Sequence, residues 1–259
     1  HVRDGVYANP SPQWRDWNQR YYDAVELAAS HGIKFDLGMG RPGFGAGTVD
    51  QLVGVIHARL RNAVDALEDP NEFDRFSGMP NWRAPLAAYD RAVYARVRSD
   101  PSLRAVPVIG PSFAGFDSPA RLGNERRWVN IANIHPYTGA SSPTPVHTTS
   151  ELARAAQIAP RTPVWATEAG FSNGLRAPGS ASPVSETAGA IYELRTLLEH
   201  FKSGIARTYL YELIDEKPDR TATDPEQHYG LLRNDSSPKP ASTALRDRLN
   251  LAGQGAPRT

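Results

Sequence analysis

Residues 64–72 read Val-Asp-Ala-Leu-Glu-Asp-Pro-Asn-Glu. The first five form a short run with apolar and β-branched positions, and Pro70 and Asn71 break it, which is how a strand running into a turn reads. The turn carries a further acidic residue, Glu72. Runs of the same kind occupy 2–6, 33–37, 106–109, 129–134, 164–167 and 208–213, each bounded by Gly, Pro or Asn. The starts differ by 31, 31, 42, 23, 35 and 44 residues, and all but one match the pitch of a βα unit, about 30 residues or more.

The intervening segments carry helical periodicity. Residues 83–98 place Leu86, Tyr89, Val93 and Val97 on one face, with Pro101 just beyond as a stop. Ser182 is the expected cap of a later helix, with Pro183 at its first position and an end near Gly204. Its core-facing stripe is expected to be Ile191, Leu194, Leu197, Leu198 and Phe201. Residues 17–30 and 49–63 are similar, 241–251 form a closing helix, and 252–259 read as a flexible tail.

Strands alternating with helices predict a parallel sheet covered by helices. The expected fold class is therefore α/β, a (β/α)₈ TIM barrel, for which about 250 residues is typical. Seven strands are read where eight are needed, so the first strand and helix are expected to lie before His1. Residues 1–251 are then one barrel domain. The structural rival is a doubly wound open sheet with a phosphate-binding turn after its first strand. Residues 38–47 are Gly-rich, but they lack the GxGxxG order, Pro42 interrupts them, and no P-loop Lys-Ser/Thr follows.

Composition narrows the function classes. The 29 basic and 28 acidic residues leave a net charge of +1, not the basic excess of a nucleic-acid binder. No run approaches the roughly 18 apolar residues of a membrane span. There is no Cys, hence no disulfide framework and no thiolate metal site.

In a barrel the C-terminal strand ends face the active site. Those positions hold Arg3 and Asp4 near the first strand; Asp69, Asn71 and Glu72 after the third; His135 and Tyr137 after the fifth; and Glu168 after the sixth. Tyr209, Tyr211 and Glu212 follow in the seventh. Two carboxyls at separate strand ends, Glu72 and Glu168, suit chemistry in which one protonates a leaving oxygen while the other attacks or activates water. The plain alternative for a strand-end Glu is a loop salt bridge. Trp14, Trp17, Trp82, Phe113, Phe116, Phe171 and Tyr229 follow strands, where they either stack on sugar rings or pack helices onto the sheet.

The run Glu68-Asp69-Pro70-Asn71-Glu72 resembles the Asn-Glu motif ending the fourth strand of clan A glycoside hydrolases. Residues 164–171, Val-Trp-Ala-Thr-Glu-Ala-Gly-Phe, look like that clan's seventh-strand nucleophile motif, and His135-Pro136-Tyr137 is similar to its sixth-strand His-x-Tyr. The closest resemblance is to family thirty-nine and its bacterial polysaccharide-cleaving relatives, with family five also open. It implies that Glu72 is the acid/base, that Glu168 is the nucleophile, and that Asn71 meets the sugar 2-hydroxyl. It further implies that Arg3 steadies the nucleophile and that His135 and Tyr137 line the site. Tyr209 and Tyr211 stand where many clan members carry a Trp under the sugar, and Trp82 and Phe171 are the further substrate-binding candidates.

The implied reaction is retaining hydrolysis, for which the two carboxyls are expected about 5–5.5 Å apart. Arg3 is expected nearer Glu168 than Glu72. The expected partner is a carbohydrate, with no metal, no cofactor, no nucleic acid and no membrane span. The substrate class leads us to expect a secreted or cell-envelope location. Two other classes stay open: a non-catalytic carbohydrate-binding barrel, and a metal-dependent barrel hydrolase. The latter fits poorly, since no His-x-His or HExxH occurs.

Overall fold

The computed structural model describes residues 1–8, 12–40, 47–177 and 182–254. Most of the Gly-rich stretch 38–47, the side chain of Trp14 and residues 255–259 lie outside them. The elements alternate as the sequence suggests: β1 (Val2–Gly5), α1 (Pro12–Ser30), β2 (Phe35–Gly38), α2 (Val49–Val55), β3 (Val64–Glu68), α3 (Phe73–Phe76), α4 (Arg83–Ser99) and β4 (Val108–Ile109). They continue with α5 (Ser118–Leu122), β5 (Ala132–Ile134), α6 (Pro145–Ile158), β6 (Val164–Ala166), α7 (Glu186–Lys202), β7 (Arg207–Thr208) and α8 (Pro240–Gln254).

Strand order in the sheets follows chain order, β1-β2-β3-β4 and β5-β6-β7. The first four strands are parallel, and Val2, Arg3, Asp4 and Gly5 stand beside Phe35, Asp36, Leu37 and Gly38. A parallel bridge from Ile109 to Ile131 leads from β4 towards β5. Neighbouring strands joined through helices are the α/β architecture of a (β/α)₈ barrel. An open doubly wound sheet would instead reverse its strand order at a switch point. Among the described residues no helix is long and apolar enough to cross a membrane.

By contacts the chain divides into two units, His1–His135 with Leu152–Trp165, and Pro136–Glu151 with Ala166–Thr259. The first has an apolar core in which Leu37 and Leu67 of the sheet meet Leu52 and Ile56 and the α4 residues Val93 and Val97, all fully buried. Helix α2 starts on a reciprocal cap, with Thr48 accepting from the Gln51 amide and the Gln51 side chain accepting from Thr48. On α4 the buried positions are Leu86, Asp90, Val93 and Val97. Tyr89 is half-buried, and its hydroxyl donates to the Met39 carbonyl at 2.5 Å.

In the second unit two expectations for α7 are corrected. The cap is Ser185, which has an extended backbone and whose hydroxyl accepts the Ala188 amide, whereas Ser182 has a φ of 40° that a cap does not adopt. The buried face is Gly189, Glu193, Thr196 and His200, while Ile191, Leu198 and Phe201 are exposed. Polar groups can occupy the inner face because they find partners there. His200 Nδ1 lies 2.9 Å from Thr208 Oγ1, and the Phe171 backbone hydrogen-bonds the Glu193 carboxyl.

Burial pushes the Glu193 carboxyl up to about 8. The folded state therefore holds a proton that the unfolded chain releases. The stability this supplies is complete below the unfolded value near 4.5 and is lost as pH rises through about 8. Glu193→Gln, which keeps the neutral shape, is expected to melt several degrees above the parent at pH 8.5. At pH 4.5 the two should nearly coincide, and thermal denaturation at both pH values checks this.

Candidate active site

In the first unit the chemistry-bearing groups gather at the end of β3. Glu68, the last strand residue, is fully buried. Arg3 from β1 forks onto it, with Nε 2.8 Å from Oε2 and Nη2 2.7 Å from Oε1, and Asn133 Nδ2 adds a third bond at 3.0 Å. Burial alone would raise the Glu68 carboxyl. The Arg3 guanidinium overrides that and, with a smaller contribution from His135, holds it below the usual carboxylate range. The same Arg3 Nη2 donates to Asn71 Oδ1 at 2.8 Å. Asn71 thus has its oxygen fixed, and its Nδ2 hydrogens have no partner among the described residues.

Glu72 follows at φ 39° and ψ 50°, a left-handed backbone that is uncommon for a side chain of this kind. Such conformations cost on the order of 1–3 kcal/mol and persist where surrounding contacts over-determine them. The side chain is nearly buried, and Oε1 lies 2.9 Å from His135 Nδ1. The Glu72 amide donates to the Ser112 side-chain hydroxyl, Oγ, at 3.1 Å.

The second unit holds Glu168, two residues past β6. It is half-buried, and the Tyr137 hydroxyl donates to its Oε2 at 2.8 Å. Tyr229 lies edge-on to Tyr137 at 6.0 Å and tilted against Tyr211 at 5.3 Å, so three aromatic rings adjoin this carboxylate. Main-chain bonds hold them: Tyr211 donates to the Ala169 carbonyl, and Glu212 donates to that of Tyr229. Burial, with the negative charges of Glu226 and Glu168, pushes the Tyr229 hydroxyl up to about 12. Burial and the neighbouring Glu216, Asp215 and Glu226 push Glu212 up to about 7, and Lys239 only partly offsets them.

Gly170 is where the chain after Glu168 meets the chain after β7. A Cβ there would stand 2.1 Å from the Tyr211 carbonyl oxygen. The obstacle is backbone, so the Glu168 and Tyr211 segments would have to part. Gly170→Ala is expected to cost about 1–3 kcal/mol of stability, the usual range for overpacking. Thermal melting against the parent measures this.

The remaining sequence candidates separate by burial. Tyr209 and Tyr211 follow the short β7, and Tyr209 is buried while Tyr211 is half-buried, its hydroxyl 3.4 Å from Glu226 Oε2. Trp82 is 3% exposed, packs against Phe113 and has Arg121 over its ring, so neither ring face is open for stacking on a sugar. Phe171 is likewise 6% exposed and packs edge-on to Tyr192. Both serve packing, which corrects the reading of these two side chains as open sugar platforms. Within its own unit Arg3 bonds Glu68 and Asn71. Glu68, Asn133 and Ser112 went unread in the sequence. An ionisable residue at the inner end of a buried strand, as Glu68 is, was the available signal.

No protein-family model matches the chain, and no curated protein matches it. Solved structures do. An active-site mutant of the Rhizomucor miehei β-1,3-glucanosyltransferase, in complex with laminaritriose, is 17% identical with a TM-score of 0.68, over 92% of this chain and 84% of that one. The family 5 subfamily 18 glycoside hydrolase of Bifidobacterium longum subsp. infantis is 16% identical with a TM-score of 0.67, over 96% and 69%. A family 39 glycoside hydrolase from the gut symbiont Bacteroides cellulosilyticus WH2 is 18% identical with a TM-score of 0.63, over 94% of this chain and 56% of that one. The likeness establishes the fold. It is a TIM barrel, the fold that these solved structures share.

Proposed function

We propose that this chain is a retaining glycoside hydrolase that cleaves a polysaccharide or glycoconjugate, with Glu72 as acid/base and Glu168 as nucleophile. The observation that carries the reading is the left-handed backbone of Glu72 at the end of β3, beside an Asn71 whose amide oxygen is already engaged. A strained carboxylic residue held by its neighbours at a strand end is what a fixed proton donor requires. The clan A fold supports the reading.

The steps follow from the groups. Glu168, as a carboxylate, attacks the anomeric carbon while Glu72 gives its proton to the departing oxygen. The carbon–oxygen bond breaks and a glycosyl ester forms on Glu168. Glu72, now a carboxylate, takes a proton from water, which attacks the same carbon and releases Glu168. Two displacements restore the anomeric configuration. His135 at Glu72 Oε1 and Tyr137 at Glu168 Oε2 hold the two carboxyls in place. Asn71 Nδ2 is the donor left for a sugar hydroxyl, and Tyr211 and Tyr229 supply ring surface.

The reading is tested with a panel of aryl glycosides, with and without a metal chelator. Turnover of at least one sugar, undiminished by chelation, is expected. Turnover that chelation abolishes would favour a metal-dependent hydrolase, and binding without turnover across the panel a carbohydrate-binding barrel.

A further inference from the structure

The loop after β4 holds the loop after β3 from one side, and both belong to the first unit. Ser112 is fully buried. Its Oγ accepts the Glu72 amide at 3.1 Å and donates to Asn71 Oδ1 at 3.4 Å. Two residues further on, Asp74 Oδ1 accepts the Ala114 amide at 3.2 Å and Oδ2 that of Gly115 at 2.8 Å. Gly115 leaves no room for a Cβ, which would stand 2.9 Å from Asp74 Oδ2 and 2.5 Å from Ser118 Oγ. Arg154 fastens the far side of this loop through the Gly115 and Phe116 carbonyls.

Asp74 therefore fastens one loop to the other through the Ala114 and Gly115 amides. Ser112 touches both Glu72 and Asn71. A hydroxyl has one hydrogen to donate and lone pairs to accept with, and this one uses both capacities on adjacent residues. Its acceptor role satisfies the amide of the residue in the left-handed conformation, which has no other partner among the described residues. Its donor role, together with Arg3 Nη2, fixes which end of the Asn71 amide carries the oxygen. The carboxyl of Glu72 is tied on the other side by His135.

We propose that Ser112 is a positioning residue for the acid/base step, setting the direction of the Glu72 carboxyl through its backbone and the presentation of the Asn71 amide through its oxygen. It makes no contact with the reacting atoms. The proposal rests on the assignment of Glu72 as acid/base and adds the group that aims it.

A mispositioned acid is felt only where the leaving group needs a proton. Ser112→Ala, Ser112→Thr and Glu72→Ala are compared with the parent on aryl glycosides of the sugar it turns over, with leaving groups ranging from dinitrophenol to an unactivated phenol. For Ser112→Ala the glycosylation rate should fall about 10–100-fold on the poor leaving group and less than threefold on dinitrophenol, with KM nearly constant. Ser112→Thr, which keeps the hydroxyl, should restore most of the loss. The alkaline limb of the pH–rate profile for glycosylation, where the acid loses its proton, should shift in Ser112→Ala, because the environment of Glu72 changes. Equal losses on all leaving groups, or an unchanged parent-like series, overturn the proposal even where melting temperature drops. If Glu72→Ala itself shows no leaving-group dependence, the acid/base assignment is what fails, and the role of Ser112 falls with it. If Ser112→Thr does not fold, the contrast between Ser112→Ala and the parent, with its pH profile, still decides.

Discussion

Glu168→Gln is expected to abolish turnover of every glycoside the parent cleaves, whatever its leaving group. A neutral amide cannot form the glycosyl ester, so the first displacement has no nucleophile. The loss should exceed the roughly 10²–10⁴-fold that general acid–base catalysis alone supplies. The substitution keeps the size of the side chain and an acceptor oxygen for the Tyr137 hydroxyl, so folding should be retained. Melting within a few degrees of the parent, together with absent turnover, is the expected pair of results. Residual activity with the parent's leaving-group pattern would remove Glu168 from the nucleophile role.

Glu72→Ala should behave differently. On poor leaving groups the rate should fall about 10²–10⁴-fold, the share of a general acid. On dinitrophenol glycosides the first displacement should survive, because that group departs with little protonation. Hydrolysis of the ester then becomes slow for want of a base, and a burst of phenol followed by a slow steady state is expected. Azide should accelerate the slow phase by occupying the space the carboxylate left and attacking the ester. The glycosyl azide should keep the substrate's anomeric configuration. Equal loss on all substrates without azide rescue would contradict the assignment.

Much of the fold was legible because strand and helix obey local rules. The run 64–72 gave β3 its bounds, and the pitch of similar runs anticipated a chain-ordered set of strands. Strand-end position also drew attention to Glu72, His135, Tyr137 and Glu168, since only side chains at those ends can converge in a barrel. What was not legible depends on partners distant in sequence. Ser112 lies 40 residues from the amide it accepts, and Arg3 lies 65 residues from the Glu68 carboxylate it bonds. The α7 stripe misled for a related reason. Hydrophobic periodicity ranks faces by side-chain type, whereas Glu193 and His200 are buried because Phe171 and Thr208 offer them hydrogen bonds. Trp82 and Phe171 show the same limit, since residue type does not reveal which ring faces other side chains cover.

Arg3 adds a physical point about the site. Its two bonds to Glu68 spend a strong cation on a carboxylate that burial would otherwise protonate. Glu68 therefore stays charged and keeps Arg3 turned towards Asn71. A chain of contacts runs from β1 through Arg3 and Asn71 to Ser112 and the Glu72 backbone, all within one unit.

As the nucleophile, Glu168 is expected to become covalently glycosylated. The most direct measurement of this is intact-protein and peptide mass analysis of Glu72→Ala after mixing with the dinitrophenyl glycoside that the parent hydrolyses. A mass increase of one glycosyl residue is expected, on the peptide containing Glu168 and on that residue, decaying when azide is added. An unmodified protein during steady turnover, or a sugar carried on a different carboxylate, would contradict it.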